Sequence, residues 1–218
     1  MKEIITYQLV DTAGELSAIV LPPVSNSAMP NVATFLMQKN ARVEQVGFLD
    51  QTAKPTTFRM MGGELSVNGL LAAEFLKTGS TRIQISRSIV QSIVNNQVTF
   101  NGMTYILLPN PPSTTTLSRE QKNMLKTLTS NNPASGIIYY LKSSIKPLVY
   151  VRATNSYVWE QSCGSGSIAY AMYSGRGRII QPSGKTVFIK VTDTSISYQA
   201  QTYTCPKETV LIPSKELL

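Results

Sequence analysis

The chain has 218 residues, with 20 Lys and Arg against 12 Asp and Glu, a net charge of +8 and no histidine. Only 15% of it is charged, well below the roughly 25% usual for a soluble domain, and its polarity rests instead on 23 Ser and 22 Thr. The missing histidine excludes Ser-His-Asp and Cys-His catalytic units and imidazole metal ligands, and two cysteines, Cys163 and Cys205, are too few for a structural zinc site or a disulfide framework. Acid–base chemistry must therefore run on Cys, Glu, Asp, Lys, Tyr or an activated hydroxyl. A hydrophobic content of 42% is enough for a core. The apolar runs fall far short of the roughly 20 residues that span a bilayer, and two unpaired thiols suit a reducing compartment. The expectation is a cytoplasmic protein with no membrane contact. The basic residues are scattered, densest at Arg176-Gly177-Arg178, with no stripe interleaved with aromatics, so nucleic acid is not an expected partner.

Along the first half, strands are predicted at residues 4–9 and 16–21, followed by a helix at 28–40 with Val32, Phe35 and Leu36 on its apolar face and Pro30 in its first turn. Strands at 43–49 and 57–61 precede a strongly apolar helix at 67–77 that stops at Gly79. Strands at 82–86, 97–100 and 103–108 close this half, the last two joined by Asn101-Gly102, a type I′ hairpin signal. The run from Asn110 through Pro111, Pro112 and Ser113 to Thr116 lacks periodicity and marks a boundary. Beyond it come a helix at 118–130 capped by Ser118, strands at 136–141, 148–153 and 157–160, a second apolar helix at 166–174 ending at Gly175, and strands at 186–192, 195–203 and 209–212. This gives a first domain at 1–110, a second at 111–204, and a terminal strand at 205–218 available to return to the first.

The two apolar helices open with related octets, Ser66-Val67-Asn68-Gly69-Leu70-Leu71-Ala72-Ala73 and Cys163-Gly164-Ser165-Gly166-Ser167-Ile168-Ala169-Tyr170. Each places a small nucleophilic side chain and a small turn before an apolar helix, one octet per half. A helix N-terminus carries free N–H groups and partial positive charge, suited to a carboxylate or phosphate. A thiol there is expected to titrate below the roughly 8.5 of free cysteine. If the halves face each other, two helix ends converge on one carboxylate with a proton-transferring atom on either side, an arrangement for removing and returning the proton at Cα of an amino acid. Plain helix capping by inert Ser66 and Cys163 accounts for the same residues.

Trp159-Glu160-Gln161-Ser162-Cys163-Gly164-Ser165-Gly166 resembles the second catalytic-cysteine motif of the diaminopimelate epimerase-like superfamily, nearest its histidine racemases of staphylopine-type metallophore biosynthesis. Glu44-Gln45-Val46-Gly47-Phe48, the run from Phe58 to Asn68, and Gln181-Pro182-Ser183-Gly184 are similar to other segments of that group in order and spacing. The resemblance implies an α+β fold of two pseudo-symmetric domains, each a mixed sheet curled around a central helix, with the site between them. It implies racemisation or epimerisation of a small amino-acid substrate by two opposed bases, with no cofactor and no metal, and it admits a homodimer.

Carried onto this chain, the resemblance makes Cys163 and Ser66 the catalytic pair, with Glu44, Asn68, Gly69, Gly164, Ser165 and Gly166 binding substrate. Two departures matter. Ser66 stands where the family has its first cysteine, and a hydroxyl without an activating partner is a far weaker base than a thiolate. The Glu-Arg pair that diaminopimelate epimerases carry upstream of the second cysteine falls on Thr154 and Asn155, and a substrate-binding Asn falls on Glu15, so diaminopimelate is not the expected substrate. Glu44 could act as an acid/base, grip a substrate amine, or lie on the surface. A one-base isomerase or dehydratase, and a catalytically silent amino-acid- or partner-binding relative, remain the alternatives.

Overall fold

Residues 2–21 and 24–213 are described by the structure, a computed structural model. The first half runs β1 (Lys2–Thr12), β2 (Glu15–Val20), α1 (Met29–Lys39), β3 (Val43–Asp50), β4 (Thr57–Met60) and α2 (Val67–Thr78). Next come β5 (Arg82–Ser86), a 3-10 turn at Arg87–Ile89, β6 (Val90–Val94), β7 (Gln97–Phe100) and β8 (Met103–Pro109). The second half continues with α3 (Arg119–Leu128), β9 (Ala134–Leu141), β10 (Ser144–Val151), β11 (Ser156–Trp159) and α4 (Gly164–Ser174). It ends with β12 (Arg178–Ile180), β13 (Thr186–Val191), β14 (Ser195–Gln199) and β15 (Thr202–Pro213).

Two mixed sheets result, each curled around one apolar helix. The smaller has the order β15-β1-β2-β3-β4, with β2 and β3 parallel, and α2 packs on its strands. The larger has the order β5-β14-β13-β12-β10-β9-β8-β7-β6, with β11 added to β10 and α4 packed on β8, β9, β12 and β13. The parallel pairs β2–β3 and β8–β9 are bridged by α1 and α3, which lie against the outer faces of their sheets. Strands covered on both faces lose their alternation, and β2 is buried at every position. The solvated β5 alternates strictly. β15 pairs antiparallel with β1, and residues 214–218 of the expected terminal strand lie outside the described residues.

The helices follow local chemistry. Ser118 and Gln121 form a reciprocal capping box at α3. Gly79 and Gly175 end α2 and α4 with φ of 75° and 73°, a left-handed geometry that costs glycine nothing. Three expectations need correction. The pattern at residues 195–203 predicts one strand, but Ala200 and Gln201 break it so that β14 joins the larger sheet and β15 the smaller. β6 and β12 have no counterpart among the predicted strands, because one is short and largely exposed and the other has three residues. The β7–β8 hairpin forms with a two-residue loop, yet only Gly102 has positive φ, at 85°, so its turn is not type I′.

Candidate active site

The N-termini of α2 and α4 meet. A Cβ placed on Gly164 would lie 3.0 Å from the backbone nitrogen of Asn68 and 2.7 Å from its Oδ1, so only glycine lets the two ends approach this closely. The Asn68 side-chain amide donates to Glu15 Oε2 at 2.8 Å and reaches the Ser162 carbonyl at 3.3 Å, while its Oδ1 accepts from the Tyr198 hydroxyl at 2.6 Å. Asn68, 1% exposed, thus ties the two octets together. Ser66 Oγ accepts from Gly69 N at 2.9 Å and Cys163 Sγ from Gly166 N at 3.3 Å, so both side chains occupy the same cap position.

Ser66, Cys163, Gly164, Ser165 and Glu44 line one narrow cavity between these helix ends, of about 20 Å³, room for about one water molecule. Of the expected residues, Asn68, Gly69 and Gly166 stand behind the wall, the last two with their N–H groups committed to the caps. The Cys163 N–H is taken by Gln181 Oε1 at 2.9 Å, and Gln181 Nε2 holds the Ser167 hydroxyl at 2.9 Å. Tyr105 completes this corner, its hydroxyl 2.7 Å from Ser165 Oγ and 3.4 Å from Cys163 Sγ.

Four carboxyl groups converge on the same space: Glu15, Glu44, Glu64 and Glu160. Glu15 is 2% exposed and accepts from Asn68 and Gln45; burial, then the charges of Glu160 and Glu44, push its pKa well above the usual carboxylate range. Glu44 Oε2 accepts the Gln161 N–H at 2.8 Å, and burial lifts it to about 7. Glu64 Oε2 accepts from Gly62 N at 2.8 Å and burial lifts it to about 7. Glu160 is raised by burial to about 8; its carboxyl stands close enough to the Cys163 thiol to perturb it, and its Oε2 is buried with no hydrogen-bond partner. Among the described residues, neither Lys nor Arg lines the cavity, and these groups have no metal-ligand geometry.

The thiol departs from its expectation. Burial first, and the Glu160 charge second, push the Cys163 pKa well above the ordinary thiol value, outweighing the helix end. The resting group is a neutral thiol beside a carboxyl. Cys205 is exposed on β15 and unbridged. Glu15, as a cavity carboxyl, and Glu64, Tyr105 and Glu160 were not read as site residues from the sequence. The usable signal was positional: Glu64 and Glu160 each stand just before an octet.

The profile of the family described as the histidine racemase CntK N-terminal domain matches residues 77–197. A histidine racemase of Fusobacterium nucleatum subsp. nucleatum is 24% identical over 244 aligned residues, covering 88% of this chain and 91% of that protein. Its counterpart in another strain is 29% identical over 106 residues, 44% of this chain and 40% of that one. Among solved structures, a probable proline racemase from Agrobacterium radiobacter K84 shares the fold with a TM-score of 0.59 at 11% identity, over 94% of this chain and 92% of that one. Among the described residues, no helix is long and apolar enough to cross a membrane.

Proposed function

This chain belongs to the histidine racemase CntK N-terminal domain family, and on that premise we propose that it racemises or epimerises an amino acid at Cα without a cofactor, with Cys163 as acid/base on one face. The observation that carries the reading is the pair of equivalent cap positions, Ser66 on α2 and Cys163 on α4, brought from the two halves of the chain to one cavity. The N–H groups of Gly164 and Ser165, at the start of α4, are suited to hold the substrate carboxylate. Glu160, beside the thiol, takes the thiol proton when it is ionised, a state it reaches at about pH 8. Cys163 as thiolate then removes the Cα proton.

A cavity walled by carboxyl groups favours a ligand that brings its own positive charge, since each unpaired carboxylate in a low-dielectric space is costly. An α-ammonium held by Glu44 and a basic side chain near Glu15 meet that demand, which supports histidine, the substrate in the relatives' names, as the first candidate. With room for about one water in the cavity, entry of such a ligand requires the two helix ends to part.

Chiral separation of histidine, lysine and ornithine after incubation with the protein tests the reading. Interconversion is expected for at least one of them, falling at least about a hundredfold in Cys163→Ala and rising in Ser66→Cys, which restores a thiol at the second position. No interconversion of any, or a Cys163→Ala variant as fast as wild type, contradicts it. Proton exchange without inversion would favour the one-base isomerase.

A further inference from the structure

Resting on the racemase reading above, we propose that Glu64 is the acid/base that serves the Ser66 face of the substrate, in the place where a second thiol would otherwise work. Ser66 leaves that face without a competent base, because an unassisted hydroxyl holds its proton too tightly. The carboxyl that enters from the same side is Glu64, in the loop between β4 and α2, two residues before the Ser66 cap. It is 9% exposed. Glu64, Leu65 and Ser66 together form the wall between the inner cavity, which Cys163 also lines, and an outer cavity of about 460 Å³ that Cys163 does not reach.

The carboxyl is held in place by its surroundings. Gly62 N donates to Oε2 at 2.8 Å, and a Cβ on Gly62 would lie 2.9 Å from the same oxygen, so glycine makes the room that the carboxyl fills. From the other side, a Cβ on Gly102 would come within 3.2 Å of the Gly63 carbonyl, so the β7–β8 hairpin presses on the backbone that carries Glu64. The remaining carboxyls stand elsewhere: Glu160 beside the Cys163 thiol, Glu44 tied by the Gln161 N–H to the segment that leads into α4, and Glu15 held by Asn68 and Gln45. A proton affinity near neutrality, about 7, lets Glu64 both give and take a proton under ordinary conditions.

In the direction that Cys163 begins, the thiol gives its proton to the Glu160 carboxylate, the sulfur takes the Cα hydrogen as a proton, and the C–H electron pair passes into the enolate of the substrate carboxylate. Glu64 then gives its O–H proton to Cα on the opposite face. The products are the inverted amino acid, a Cys163 thiol, a protonated Glu160 and a Glu64 carboxylate, which is the starting state for the reverse direction. No electron is gained or lost overall.

The test follows deuterium entry from D₂O at Cα, in recovered substrate and in product, for each enantiomer of histidine, lysine and ornithine. In Glu64→Gln, inversion falls at least about a hundredfold, while exchange survives for the enantiomer that turns its Cα–H to Cys163 and is lost for the other. Cys163→Ala shows the mirror pattern, and Glu64→Asp recovers part of the inversion. Inversion by Glu64→Gln within about threefold of wild type overturns the proposal, as does loss of exchange from both enantiomers, which marks a structural role. Wild type that inverts none of the three sinks the racemase reading and this proposal with it. Wild type that inverts, with Glu64→Gln unaffected, sinks this proposal alone.

Discussion

At the scale of single residues, the cavity carboxyls couple function to stability. Glu44 and Glu64 hold their protons to about pH 7 and Glu160 to about 8 in the folded chain, against an ordinary value of 4.5. The folded state therefore binds more protons than the unfolded one between about pH 4.5 and 8, and stability falls as pH rises through that window. For Glu64 alone the shift corresponds to on the order of 3 kcal/mol. Glu64→Gln removes the titrating group but keeps an acceptor for Gly62 N. Its urea midpoint is expected to match wild type at pH 5 and exceed it at pH 8; a midpoint below wild type at pH 8 contradicts the assignment. These residues were also the least legible in the sequence. A buried Glu and an exposed Glu read alike, and only the packing of two chain halves decides which one loses water. Glu44 is singled out by resemblance, and the burial that lifts its pKa arises in the cavity, which residues of both chain halves line.

At the scale of elements, the pairing of α2 with α4 is the feature that makes a site. Both helices, both left-handed glycine ends and both caps were legible, because caps and apolar faces are local signals. The close approach of the two N-termini was not, since Gly164 against Asn68 depends on tertiary packing. A methyl group at Gly164 must push against a backbone nitrogen 3.0 Å away, which cannot yield as a side chain tip would. Gly164→Ala is therefore expected to lower stability by about 1–3 kcal/mol and to lower activity with it, measured as a fall in melting temperature and in turnover. An unchanged melting temperature would show that the helix ends part freely. The strands were read well where apolar runs were long. β6 and β12 were missed because short or exposed strands are specified by their neighbours rather than by their own composition.

At the scale of the molecule, the charge distribution carries more information than the net charge. The chain is +8 overall, yet four of its 12 acidic residues turn inward to the cavity. The basic excess is thus a property of the outer surface, and the acidic groups gather at the cavity. The absence of histidine likewise takes on a definite meaning: the proposed proton transfer is left to one thiol and the carboxyls around it. The proposed reaction requires Cys163 to act at Cα. Its most direct measurement is loss of the Cα proton signal of histidine, lysine and ornithine in D₂O, followed by NMR with wild type and with Cys163→Ala. Wild type is expected to show steady loss from at least one of the three, and the variant a rate at least about a hundredfold lower for the enantiomer that faces the thiol. Equal rates in the two proteins, or no loss from any of the three in either, would contradict it.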